Sequence, residues 1–285
     1  MTRGIDHLVL AVRDLEKARA FYETLGFTLT PRAQHPWGTA NYLAQFSGCF
    51  LEILGIAEPA AIPPHEAGKF SFGAHNRGFL AKREGMSMLV FQSHDARRDQ
   101  AEFAAAGLKT YAPFDFGRTA KLPDGTTAKV AFSLAFVTDP RMPDSAFFTC
   151  QQHAPKYFWK RDYQVHANGA RTIAEVVMVA PEPAALADHF AKLQGAGSVR
   201  VETGALTVAT ARGRIAVLAP AAFAARFGGA TAAEPAPRFA AFRIAGVDPT
   251  AQAQRLAAAG IAHRVAGGAV QVPAAAAFGV AIEFA

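Results

Sequence analysis

The chain has 285 residues, of which 51% are apolar and 18% are charged, as in a globular protein with a sizeable core. The formal net charge is only +6 and no block of Lys and Arg concentrates it, which argues against a nucleic-acid partner. No apolar run is long enough to span a membrane, and a strand is predicted to begin at Ile5, with no secretory signal before it. We therefore expect a cytoplasmic protein without a membrane partner.

One pattern of elements occurs four times along the chain: a strand, a short amphipathic helix and three further strands. In the first copy, the opening strand begins at Ile5 and the helix is predicted over about Asp14–Leu25. The other three strands are predicted near Phe27–Thr30, Thr39–Phe46 and Phe50–Leu54. This alternation predicts an α+β fold built from four βαβββ modules.

The later copies open with apolar strands at Met86, Thr172 and Phe239. Their helices are predicted over about Asp95–Ala106, Pro183–Leu193 and Pro249–Ala259. Ala dominates the sequence from about residue 205 onward, so the first half is the better place to look for a chemical centre.

The repeats divide the chain into residues 1–153, which hold two modules, and residues 171–285, which hold a degenerate second pair. Two stretches lack periodicity: an insertion at 58–85 and an aromatic linker at 154–170. Each is interpreted either as a lid over a cleft or as a segment packed on the surface. The Ala-rich stretch Ala221–Pro237 is predicted to be a mobile connection, and Pro123–Gly125 is predicted to be a turn.

Several segments resemble the vicinal oxygen chelate superfamily, which includes glyoxalase I, extradiol dioxygenases, fosfomycin resistance enzymes and bleomycin-binding proteins. The segments that carry the resemblance to its glyoxalase-like branch are Asp6–Leu15, Phe21–Tyr22, Leu25–Phe27, His35–Tyr42, Cys49–Gly55 and Phe147–His153. The resemblance implies two paired, mainly antiparallel open-barrel assemblies around clefts. It also implies metal ligands from the first and last strands of paired modules.

On that resemblance, His7 and Glu52 match two metal-ligand positions. The second module departs from the pattern, because Met88 stands at its first-strand position and its last-strand position falls near Thr149–Gln151. His153, slightly beyond, is therefore the predicted third ligand, with Gln151 as an alternative.

If the first module instead faces the third or fourth, Glu175 or Glu283 would complete the site. A His with carboxylates and open positions suits Zn, Mn or Fe, so a divalent metal ion is the predicted cofactor. The alternative for His7 and Glu52 is a buried hydrogen bond that binds nothing.

Four residues are predicted to bind substrate: His35, Asn41, Phe114 and His166. His35 could equally be an exposed loop residue, and His166 could be a turn residue. Asn41 lies in a row with Thr39, Leu43 and Gln45 on one face of a strand. That row could line a cleft or face solvent.

The predicted function is a metal-dependent lyase, isomerase or dioxygenase. Its small organic substrate would chelate the ion through vicinal oxygens, and Glu52 and His153 would be catalytic. The alternative is a metal-free protein that sequesters a small molecule, as bleomycin-binding proteins do. A third hypothesis is a structural module with vestigial clefts. The sequence is compatible with a homodimer.

Overall fold

The computed structural model describes residues 2–121, 127–228 and 236–285. These residues form two mixed sheets, neither of which closes into a barrel. The predicted fold, with four βαβββ modules in two paired and mainly antiparallel open assemblies, is confirmed. The predicted Pro123–Gly125 turn lies outside the described residues.

The first sheet contains the strands of the first two modules, in the order β2-β3-β4-β1-β5-β9-β8-β6, with β7 also paired to β8. These strands are β1 (Ile5–Ala11), β2 (Ala33–Gln34), β3 (Thr39–Gln45), β4 (Phe50–Ile56), β5 (Gly85–Ser93), β6 (Lys109–Thr110), β7 (Phe114–Lys121), β8 (Thr127–Thr138) and β9 (Ala146–Gln152). The two modules meet where β1 runs antiparallel to β5. The first module therefore faces the second.

The second sheet repeats this arrangement in the order β11-β12-β13-β10-β14-β17-β16-β15. Its strands are β10 (Thr172–Val179), β11 (Val199–Glu202), β12 (Ala205–Ala209), β13 (Arg214–Leu218), β14 (Arg238–Ala245), β15 (Arg264–Ala266), β16 (Ala269–Val272) and β17 (Ala281–Phe284). Here β10 and β14 form the antiparallel contact between modules.

Seven α-helices lie in the described parts of the chain: α1 (Leu15–Thr24), α2 (Phe72–Lys82), α3 (Ala96–Ala105), α4 (Pro155–Phe158), α5 (Ala187–Gln194), α6 (Pro220–Phe227) and α7 (Pro249–Ala258). The aspartates Asp14, Asp95 and Asp248 cap α1, α3 and α7 by accepting backbone N–H groups of the first turn. Within the described residues, no helix has both the length and the apolar composition that crossing a bilayer requires.

Three predicted elements differ from the structure. Phe27–Thr30 is not a strand, because the Thr28 N–H is bound by the side chain of His166 rather than by a neighbouring strand. The insertion at 58–85 contains α2, whose N-terminus is capped by Ser71. The predicted connection Ala221–Pro237 begins inside α6, and its residues 229–235 lie outside the described chain.

A single apolar core joins the two sheets. One face of the first sheet contributes Ile5, Leu8 and Phe147 to a cluster that also contains Phe190 and Phe239 of the second half. Side chains alternate between faces along a strand, so the opposite face of the first sheet is left for a separate cavity.

Candidate active site

A cavity that is open to solvent on one side lies on the face of the first sheet that points away from the second sheet. Seven of its lining residues are Phe or Trp, which makes its walls mainly aromatic. The full lining consists of His7, His35, Trp37, Asn41, Leu43, Phe50, Glu52, Phe72, Phe116, Phe132, Leu134, Phe148, Cys150 and Phe158.

His7 and Glu52 meet at the polar end of this cavity. They lie on the adjacent parallel strands β1 and β4, where Glu52 pairs with Val9, two residues beyond His7. The distance from His7 Nε2 to Glu52 Oε2 is 3.9 Å, and both residues are only 5% exposed. Phe50 stacks on the His7 ring with centroids 4.2 Å apart. The imidazole and the carboxylate can therefore contact the same small molecule.

Asp6 is a member of this cluster that the sequence reasoning missed. The pairing of β1 with β5 shifts register between Ile5 and His7, which is a β-bulge with Asp6 as the extra residue. The Asp6 carboxylate can therefore reach the ring of its neighbour, and Oδ1 lies 2.6 Å from His7 Nδ1. Gln152 Nε2 donates to Asp6 Oδ2 at 3.3 Å. The signal in the sequence was the adjacent Asp-His pair, but its geometry depends on the bulge.

Asn41 and His35 contact the other side of the Glu52 carboxylate. Asn41 Nδ2 donates to Glu52 Oε1 at 2.5 Å, and His35 Nε2 lies 3.8 Å from the same oxygen. The His35 ring stacks on Trp37, and its Nδ1 bonds Thr39 Oγ1 at 2.8 Å. The polar row on β3 is buried and lines the cavity through Asn41 and Leu43. The Asn41 Oδ1 atom is buried without a hydrogen-bond partner among the described residues.

The second module contributes apolar side chains where the first has polar ones. Val9 pairs with Glu52 across β1 and β4, and Val90 pairs with Phe148 across β5 and β9. Phe148 is thus the counterpart of Glu52, whereas the sequence alignment placed that position near Thr149–Gln151. Met88, the predicted counterpart of His7, is buried in an apolar cluster with Phe148.

The donor groups in the cavity do not form a complete metal site. His7 and Glu52 could reach one ion, since ligand bonds of about 2 Å from each are compatible with their separation. Among the described residues, however, no group of three His, Cys, Asp or Glu side chains is arranged to hold a metal ion. Because the second module adds no His or carboxylate side chain to the described lining and its Cys150 is a buried thiol, the fit to a metal ion is partial.

The structure does not bring His153 to His7 and Glu52. His153 follows β9, and its Nε2 lies 2.8 Å from Ser133 Oγ. Ser133 lies between Phe132 and Leu134, whose side chains line the cavity, so it points to the opposite face of β8. Gln151, the alternative third ligand, binds the Ala96 N–H and the His94 carbonyl.

Glu175 and Glu283 lie in the second sheet and bind Arg226 instead. The Arg226 guanidinium on α6 contacts both carboxylates, with a distance of 2.7 Å to Glu283 Oε1. Phe223 and Phe227 of α6 pack on the same sheet face. Arg226 therefore fills the region of the second sheet that corresponds to the first cavity.

Phe114 and His166 lie beside the cavity rather than in its lining. Phe114 packs edge-on against Trp37 at 5.1 Å, while Phe116, two residues on, lines the cavity. His166 accepts from the Thr28 N–H at Nδ1 and contacts the Gln45 carbonyl at 2.8 Å through Nε2. Both ring nitrogens hold the linker to the first module, and burial lowers the His166 pKa.

The insertion and the linker each supply one wall of the cavity. Phe72 at the start of α2 and Phe158 at the end of α4 both line it. Gln45 fixes the linker, because its amide donates to the Phe158 carbonyl and accepts from the Lys160 N–H. The two aperiodic stretches therefore cover the cavity.

Cys150 lines the cavity as a protonated thiol. Burial raises its pKa well above the ordinary value, and the nearby Asp6 and Glu52 carboxylates raise it further. Cys150 therefore packs as a small apolar residue and lacks the thiolate character of a nucleophile.

Comparison with known proteins gives a family and several structures of the same fold. The family described as "Glyoxalase-like domain" matches residues 5–194. No curated protein matches the chain. A Staphylococcus aureus hypothetical protein aligns with a TM-score of 0.66 at 11% identity, covering 99% of this chain and 98% of its own.

Two enzymes share the fold at lower similarity. A mutant of 4-hydroxymandelate synthase from Streptomyces coelicolor aligns with a TM-score of 0.56 at 10% identity, covering 100% of this chain and 92% of its own. The Mn(II)-bound glyoxalase from Novosphingobium aromaticivorans aligns with a TM-score of 0.56 at 14% identity, covering 100% and 82%. At these identities the likeness concerns the fold.

Proposed function

Because this chain belongs to the glyoxalase-like domain family of the vicinal oxygen chelate superfamily, we propose that it is an enzyme that moves a proton within a small organic substrate. The observation that carries this proposal is the buried Asp6–His7 pair facing Glu52 at the polar end of an aromatic cavity. A protein that only sequesters an apolar molecule has no need to bury two carboxylates.

His7 is the proposed general base. With the ring proton on Nδ1, where the Asp6 carboxylate can accept it, Nε2 is the acceptor on the side of Glu52. A buried acid that fixes the tautomer and orientation of a catalytic imidazole is a recurring arrangement. Nε2 would take a proton from a carbon or heteroatom of the substrate and return it to a neighbouring atom, which is an isomerisation.

Glu52 is the proposed second polar contact of the substrate. Asn41 holds Oε1 through a hydrogen bond, which turns Oε2 toward His7. The aromatic walls exclude water around the reacting atoms, and this strengthens each polar contact. His153 lies on the opposite side of β8 and has no part in this mechanism.

A metal-dependent form of the reaction is the second candidate, favoured by the 3.9 Å separation of His7 and Glu52. The divalent ion, whether Zn, Mn or Fe, stays a prediction, since the described residues supply only two ligands. Elemental analysis of freshly purified protein tests it. Stoichiometric metal that is lost in His7→Ala would support the metal-dependent form.

Solvent deuterium exchange tests the proposed function directly. The protein would be incubated in D₂O and EDTA with phenylacetone, phenacylamine and phenylpyruvate, which are respectively neutral, cationic and anionic and all carry an acidic C–H. Mass spectrometry would then measure deuterium incorporation. We expect at least one compound to exchange above its uncatalysed rate, and His7→Gln to lower that rate by about 10²-fold or more.

His153→Gln is the matched control, because it removes an imidazole of the same half that lies outside the cavity lining. We expect it to retain the exchange rate. Equal losses in His7→Gln and His153→Gln would show that His7 is not the base. Ligand binding without any exchange, either in EDTA or after Zn, Mn or Fe is added without EDTA, would instead show a sequestering protein.

A further inference from the structure

We propose that the substrate carries a protonated amine on an aromatic or otherwise apolar body, with Glu52 as its anchor. This inference rests on the proposed function and names the substrate class of the same cavity. It follows from the charges at the polar end and from the rings that surround it.

The polar end of the cavity is acidic. Glu52 lines it and Asp6 lies directly behind His7, and these two carboxylates are 5% and 2% exposed. Among the described lining residues there is no Lys or Arg. A substrate carboxylate or phosphate would therefore meet two like charges at short range with no cation to neutralise it, whereas an ammonium group would offset part of the negative charge.

Glu52 has an oxygen available for such a group. Asn41 donates to Oε1, while no hydrogen bond to Oε2 is found among the described residues, and His7 Nε2 lies 3.9 Å from Oε2. An ammonium bound at Oε2 would make a charge-assisted hydrogen bond and sit next to the imidazole. The base and the anchor would then hold adjacent atoms of one substrate.

The aromatic walls of the cavity also favour a ligand that is cationic and has an apolar body. Phe50 stacks on His7, and Phe148 meets the same ring edge-on at 5.5 Å, so both rings border the imidazole that lies next to Glu52 in the cavity lining. The faces of aromatic rings attract cations. The rest of the wall, including Phe132 and Phe158, suits a flat apolar body.

Three naphthalene probes of nearly equal size test the inference. Calorimetry in EDTA at pH 7 would compare 2-naphthylmethylamine, 2-naphthalenemethanol and 2-naphthoate, which are respectively cationic, neutral and anionic. We expect the amine to bind at least about tenfold more tightly than the naphthoate. Equal or tighter binding of the naphthoate to the wild-type protein would overturn the inference.

Glu52→Gln should weaken the binding of the amine by at least about tenfold. The affinity for the alcohol should stay within about threefold of the wild-type value, because a glutamine can still accept the hydrogen bond from Asn41. Glu58→Gln changes an exposed carboxylate outside the cavity lining and should leave the order of the probes unchanged. An amine preference that survives Glu52→Gln would also overturn the assignment of Glu52 as the anchor.

The two proposals fail separately. An amine preference without deuterium exchange would refute proton transfer and leave the ligand class standing. Exchange with phenylacetone, together with tight naphthoate binding, would refute the ligand class and leave proton transfer standing.

Discussion

Removing the Arg226 charge should strongly destabilise the protein. Arg226 lies between Glu175 and Glu283, whose side chains are 3% and 5% exposed. Burial alone would raise the pKa of Glu283, but hydrogen bonds from Arg226 and Gln271 outweigh burial and hold that pKa below its ordinary value. In Arg226→Met, the apolar stem is largely kept and the two carboxylates lose their shared cation.

The expected cost is about 3 kcal/mol. Breaking a buried ion pair from one side costs about 3–5 kcal/mol, because a buried charge is left uncompensated. The lower end applies here, since Arg214 still binds Glu175 at 2.7 Å, Gln271 still binds Glu283 at 2.6 Å, and the Arg243 Nε atom lies 3.5 Å from Glu283.

Urea denaturation followed by circular dichroism would measure this cost as a change in the free energy of unfolding. Arg200→Met is the matched control, because Arg200 is 80% exposed and pairs with the exposed Glu202. It should change stability by less than about 0.5 kcal/mol.

The structure also predicts how the stability difference between Arg226→Met and the wild type changes with pH. The lowered pKa of Glu283 in the wild type means that its contribution is present above the unfolded pKa and is lost as pH falls. The Glu283 pKa would be higher in the variant, because Gln271 and Arg243 still lower it but Arg226 no longer does, so the variant loses less stability than the wild type as pH falls. The gap between the two proteins should therefore narrow from pH 7 to pH 4. A loss below about 1 kcal/mol at pH 7, or a gap that widens in acid, would refute this account of the second sheet.

Three further predictions concern the first half of the chain. Asp6→Asn should lower the deuterium-exchange rate by about 10²-fold or more without loss of fold, since it can reverse the tautomer of His7; an unchanged rate would contradict the role of Asp6. Cys150 should resist alkylation by iodoacetamide at pH 7 in the native protein and react after unfolding, because its raised pKa and burial keep it a thiol; rapid native labelling by mass spectrometry would contradict this. Burial lowers the pKa of His75 to about 4, so its contribution is present above about pH 6.5 and falls by about 3 kcal/mol on acidification to pH 4. Urea denaturation across that range should show a shallower decline in His75→Gln, and identical profiles would exclude His75 as a cause.

Local signals made much of the fold predictable. The helices after Asp14, Asp95 and Asp248 begin at an aspartate cap, and the chain itself supplies both the cap and the helical periodicity. β7 and α2 were not predicted. β7 pairs only with β8 at the periphery of the sheet, and α2 buries aromatic and small residues without a clear polar face.

The site was predictable only in part, because it depends on register. His7 and Glu52 could be assigned from the repeat, and the structure places them together. The bulge that turns Asp6 toward His7 is a property of the pairing between β1 and β5, which the sequence does not display. The same holds for Phe148, since its alignment with Glu52 depends on which residue of β9 meets Val90.

The Arg226 guanidinium in the second sheet affects how many ligand molecules one chain can bind. A duplicated architecture invites the expectation of two occupants per polypeptide, but one of the two positions is already taken by a side chain of the molecule itself. Titration with 2-naphthylmethylamine should therefore saturate at a single equivalent per chain.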